Sequence, residues 1–155
     1  DLNLRAIQIA ESSPQPQARN WRASLYNNAG WSYHTLGDFA SALTMFQKAE
    51  TARREQGRVK EIRIAQWCVA RTLRSLQRID EALSMQLALK AEYDADAQNG
   101  SDGYVDEEIG ECLLALKRNQ EARPYFAKAF ELLSQDTWLA EHEPKRLQRL
   151  KELGQ

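Results

Sequence analysis

The chain predicts an all-α fold: a stack of three helix pairs led by half a repeat and closed by a C-terminal capping helix. Three observations carry that expectation. Residue types recur at a period of 40, with Gly30, Ala70 and Gly110 small, Ala29, Val69 and Ile109 apolar just before them, and Tyr33, Leu73 and Leu113 large three residues after. Leu36, Leu76 and Leu116 repeat in the same register, and in the second half of each unit so do Ala42, Ala82 and Ala122, then Phe46 and Phe126, then Ala49 and Ala129, with Gln86 and the bulkier Leu89 alone breaking the pattern. Within a unit the apolar residues fall three and four apart, as in Ala29, Tyr33, Leu36 and again Ala42, Phe46, Ala49, which is helical spacing and not strand alternation. Small residues at Gly30 and Ala42 let the two helices of a pair approach, and several stacked pairs bury a face that one pair would leave wet.

Each element follows in order. Residues 1–13 read as the second helix of a truncated repeat, with Pro14 at its end, and imply at least one more helix upstream; Leu2, Leu4 and Ile7 would then lack part of their cover. Repeat 1 spans residues 17–56, and its internal turn is Leu36-Gly37-Asp38, a glycine suited to a left-handed cap before an acidic helix start. Repeat 2 spans 57–98 and repeat 3 spans 101–135, their turns at Gln77-Arg78 and Lys117-Arg118 placed by register alone. Pro124 is read as lying near the start of the last helix, where first-turn amides have no intrahelical partner. Leu139, Leu147, Leu150 and Leu153 give a one-sided stripe over 137–153, a single capping helix within one domain.

Composition excludes several functions. The 155 residues carry a net charge of −1, no run of about 18 apolar residues exists, and the mean hydropathy is −0.65, so a soluble, cytoplasmic protein with no membrane partner is expected. Cys68 and Cys112 cannot form a disulfide framework and are expected as reduced thiols. Charge is blocked: residues 1–90 net +5, 91–136 net −7, and 137–155 net +1, a polarity able to orient a bipolar peptide or a second copy. Nucleic acid is disfavoured by the overall balance.

Catalysis finds no support, because His34 has no nucleophile indicated beside it and His142 lies among Glu141 and Glu143. Glu107, Glu108, Glu111 and Cys112 share a helix face but lack a histidine, so a solvated acidic face is preferred to a metal site. Asn99-Gly100-Ser101-Asp102-Gly103 reads as a loop and helix start rather than a phosphate cradle. No cofactor is expected.

The segment Tyr26-Asn27-Asn28-Ala29-Gly30-Trp31-Ser32-Tyr33, followed by Gly37-Asp38-Phe39, Ala42, Phe46 and Ala49, resembles a tetratricopeptide repeat (TPR). Its 40-residue period and paired Asn27-Asn28 are similar to the long repeats of kinesin light chains and related bacterial scaffolds. The resemblance implies a right-handed α-α superhelix, a TPR solenoid, whose first helices line a concave groove that binds a peptide or protein segment without catalysis. By register that lining takes in Asn27, Trp31 and His34, then Trp67, Arg71 and Arg74, then Tyr104, Glu107 and Glu111, with Asn28 as a gripper of peptide backbone. The carboxylate clamp of the family is not matched: Asn27, Trp31, Cys68, Tyr104 and Glu108 stand where its basic and amide residues would be. Two other readings are a regulatory peptide-sensing domain of a larger protein and a module that self-associates, the latter through the first helix.

Overall fold

A computed structural model of the chain describes residues 2–155 and gives nine α-helices and no strand among them. The helices pack in consecutive pairs, and the chain divides into two compact units, one ending at Arg78 and the other beginning at Ile79.

The first unit holds α1 (Leu2–Ser12), α2 (Pro16–Thr35), α3 (Phe39–Gln56) and α4 (Val59–Ser75), each packed on the next. Ile7 and Ala10 turn α1 onto α2, where Ile7 joins Tyr26, Ala29 and Ala49. Glu11 reinforces the joint by accepting from the Tyr26 hydroxyl, with Lys48 Nζ 3.7 Å away and above the Tyr26 ring. Ile7 is therefore covered, whereas Leu2, at 84% exposure, and Ile9 lie open on the far side. The α2–α3 contact is close because Gly30 has no Cβ: one added there would sit 2.6 Å from the Phe46 ring. Gly37 takes φ 80° at the turn, and Asp38 caps α3 by accepting from Ser41 N at 3.1 Å. Leu36 is the exposed first residue of that turn, so its recurrence marks the turn and not the core.

The second unit holds α5 (Ile79–Asp94), α6 (Gly103–Ala115), α7 (Asn119–Leu133), α8 (Thr137–His142) and α9 (Pro144–Leu153). Gly110 repeats the close approach, with an added Cβ falling 2.8 Å from Phe126. Gln77 and Lys117 adopt φ 62° and 60°, the left-handed conformation of Gly37 at the same 40-residue register, so the turn geometry is kept where the glycine is not. Asp102 caps α6 by accepting from Tyr104 N at 2.8 Å, which makes Asn99–Gly103 a loop and helix start.

Two expectations are corrected here. Pro124 is the sixth residue of α7, beyond the first turn, so the amide it lacks would have bonded the Gln120 carbonyl; both residues are exposed, and water can satisfy that oxygen. The capping segment is two helices, because Pro144 disfavours helical backbone at Glu143, which sits at φ −127° and ψ 47° and ends α8 before Pro144 opens α9. Leu139, Leu147 and Leu150 are buried across that break, and Gly154 lets the end of α9 approach α7 to a distance where a Cβ would meet Ala127 N at 2.7 Å.

Candidate functional site

In the first unit, α2 and α4 bring together most of the residues the sequence singled out. Trp31 and Trp67 lie tilted with ring centroids 6.2 Å apart. Trp31 is fixed from behind by edge contacts to Phe46 at 5.0 Å and to His34 at 5.3 Å, and His34 lies against Phe39 at 4.9 Å. One turn along, His34 Nε2 is 3.0 Å from Ser75 Oγ, and Arg71 donates to the same oxygen at 2.7 Å. Ser75 is a residue that the sequence reading missed; its register position beside Arg74, opposite His34, was the available signal.

Burial lowers the pKa of His34, and the nearby cations Arg71 and Arg74 lower it further, so the imidazole is neutral at pH 7. At the other end, Asn27 Oδ1 lies 3.7 Å from Cys68 Sγ, and burial pushes the Cys68 thiol up to about 12, leaving it an inert, protonated group. Asn28 is exposed on α2, and its carbonyl accepts from Ser32 Oγ at 3.0 Å. Trp31, Trp67, His34, Arg71 and Arg74 are all half-buried: fixed by neighbours yet still touched by solvent.

Beside Asn27 the surface opens into a cleft of about 110 Å³ between α2, α3 and α4. Ala23, Ala49 and Ala65 form its floor and Ile64 one wall.

The second unit uses its candidates differently. Glu107 and Glu111 do not face solvent as an acidic surface would. Glu107 receives both arms of Arg146, at 2.9 and 2.6 Å, and Glu111 pairs with Arg149, whose second nitrogen donates at 3.2 Å. Arg146 also lies over the Tyr104 ring at 5.4 Å, and Arg149 over Phe126 at 5.9 Å. The bond to Glu107 raises the Arg146 pKa, so that cation is permanent.

Asp106 and Glu108 are buried as well, and Lys90 Nζ stands 3.1 Å from Asp106 Oδ1, close enough for an ion pair though poorly angled for a hydrogen bond. Burial raises the Asp106 pKa against the pull of Lys90. The solvated acidic face expected for Glu107, Glu108 and Glu111 is thus corrected: desolvated carboxylates persist only with compensating partners, and for Glu107 and Glu111 α9 supplies them. Among the described residues, no group of three or more His, Cys, Asp or Glu side chains is placed to hold a metal, and no helix is long and apolar enough to cross a membrane.

No curated protein and no solved structure matches the chain. A family model for the tetratricopeptide repeat matches residues 23–56 and 108–134. The first match covers most of α2 and all of α3, the second most of α6 and all of α7, and together they support a tetratricopeptide repeat family for this chain, one whose repeats generally mediate protein–protein interaction.

Proposed function

We propose that the chain is a non-catalytic recruiter that binds a segment of another protein on the α2–α4 surface. The observation that carries this reading is the fixed, half-exposed pair of Trp31 and Trp67 with a donor-rich end at Ser75, Arg71 and His34. An indole held from behind, as Trp31 is by Phe46 and His34, gives large contact area at little entropic cost, and tryptophan with arginine is the composition interfaces favour. The segment lies across Asn27, Trp31 and Trp67 and turns acidic groups toward Arg71 and Arg74, with Asn28 at the margin. The matched family favours this class of function. Two buried cysteine thiols outside any disulfide suit a reducing compartment, which makes cytoplasm the location we propose.

Panning a random peptide library on the immobilised full chain tests the reading. Wild type should enrich peptides that a Trp67→Ala, Arg71→Ala double variant binds about thirtyfold more weakly, since one aromatic anchor is worth about 2 kcal/mol. Circular dichroism and thermal melting check that the variant folds. Equal binding by the folded variant would place the surface elsewhere.

A further inference from the structure

We infer that the cleft beside Asn27 is a side-chain pocket of this same surface, and that the bound segment is extended and places an aliphatic residue there, two positions from the residue lying on Trp31 and Trp67. The inference rests on the reading of α2 and α4 as the ligand surface and adds the chemistry and spacing of what binds.

Size selects the class of side chain. The cleft holds about 110 Å³. A water occupies roughly 30 Å³, whereas an apolar cavity of about 150 Å³ is known to take benzene, so this cleft is sized for a branched aliphatic chain and is smaller than a space known to hold a ring. The floor selects for apolarity, because Ala23, Ala49 and Ala65 offer only methyl groups and are themselves buried. Ile64, 47% exposed at the wall, is apolar surface that an occupant would cover.

The rim is also held in place: Arg53 donates to Ser24 Oγ at 3.0 Å and to Gln56 Oε1 at 3.1 Å, so its guanidinium is tethered beside the opening. Glu61, 3.7 Å from Arg58, lines the same cleft opposite Arg53, so the two charged residues of the lining are of opposite sign.

Spacing follows from the helices. Asn27 precedes Trp31 by four residues and Ile64 precedes Trp67 by three, one helical turn or roughly 4.5 to 6 Å along each axis. In an extended chain, alternate side chains leave the same face about 6.6 Å apart. An extended segment that seats residue p in the cleft therefore lays residue p+2 on the indoles. Asn27, at the edge of the cleft, carries an amide that can bond the backbone of such a segment; a helical segment has already bonded its own.

The test uses the full chain and a positional-scanning library of short, end-blocked synthetic peptides, read by tryptophan fluorescence. Peptides with Leu, Ile or Met at p and an apolar residue at p+2 should bind at least about tenfold better than those with Phe, Trp or Asp at p. Ala65→Leu fills the cleft and should cost about tenfold in affinity for the preferred peptides; Ile64→Lys, at an exposed position with little bearing on folding, should do the same. If these folded variants bind as wild type does while Trp67→Ala abolishes binding, the cleft assignment falls and the indole surface stands. If the Trp67→Ala chain binds the library as wild type does, the surface itself is refuted. A preference for aromatic residues at p, or for an i, i+4 pattern, overturns the inference as stated.

Discussion

Replacing Gly30 with alanine puts the packing argument at risk. The new Cβ would stand 2.6, 2.7 and 2.8 Å from three atoms of the Phe46 ring, well inside van der Waals contact. The ring cannot easily retreat, because Phe46 is wholly buried and Trp31 presses an edge on it with centroids 5.0 Å apart. Overpacking of this kind costs about 1 to 3 kcal/mol. Against it stands the gain in helix propensity from glycine to alanine, about 1 kcal/mol at most. The net expectation is a loss of up to about 2 kcal/mol, or up to roughly 8 °C in melting temperature for a chain of this size.

Thermal denaturation followed by circular dichroism reads it directly, and a cycle with Phe46→Leu isolates the cause: the alanine should be better tolerated once the ring is gone. A Gly30→Ala chain that melts at or above wild type would refute the claim that the small residue exists to admit Phe46.

Gln77→Gly and Lys117→Gly should each stabilise by about 0.5 to 1 kcal/mol in denaturant titration, since glycine relieves a left-handed backbone at φ 62° and 60° and gives back part of that gain through a freer unfolded chain. Gln86→Leu should raise stability by about 1 kcal/mol or more, because both amide atoms of Gln86 are buried and have no hydrogen-bond partner among the described residues; a lower melting temperature would show that the amide is in use. Arg146→Ala should cost about 2 kcal/mol by stranding the buried Glu107 carboxylate, and Glu107→Leu with Arg146→Met should recover most of it in the same melt. Burial and the bond to Glu11 push the Tyr26 hydroxyl up to about 12 from 10; its contribution to stability is complete below pH 10 and is lost as pH rises from 10 to 12, a step that Tyr26→Phe should remove from an alkaline unfolding profile.

Sequence legibility differs between the elements for physical reasons. The helix pairs were legible because burying one face of a helix forces apolar residues into a spacing of three and four, and stacking repeats that demand every 40 residues. The turns at Gln77 and Lys117 were located by register, yet their left-handed backbone was not signalled by residue type, since neighbouring packing imposes a conformation that glycine would signal by itself. The break at Glu143 was missed although Pro144 announced it: the leucine stripe runs on through α8 and α9, and burial periodicity does not record an interrupted backbone. The aromatic pair of the candidate site followed from register. The alanine-floored cleft did not, because small residues in a repeat read first as close approach between helices, and only the packed fold reveals where that approach leaves space.

The same reasoning explains why the two units treat equivalent positions so differently. Asn27, Trp67 and Glu107 share one register position, and Trp31, Arg71 and Glu111 share the next. A repeat fixes where such a side chain stands, not what satisfies it. Carboxylates lose more on desolvation than any neutral group, so Glu107 and Glu111 require fixed counter-charges, which Arg146 and Arg149 of α9 provide. That requirement commits the α6 positions to closing their own unit. Indole rings carry no such debt: Trp31 and Trp67 are stable half-covered, with Phe46 and His34 behind one of them. A partner docking at the α6 positions would first have to replace the arginines already bound to Glu107 and Glu111.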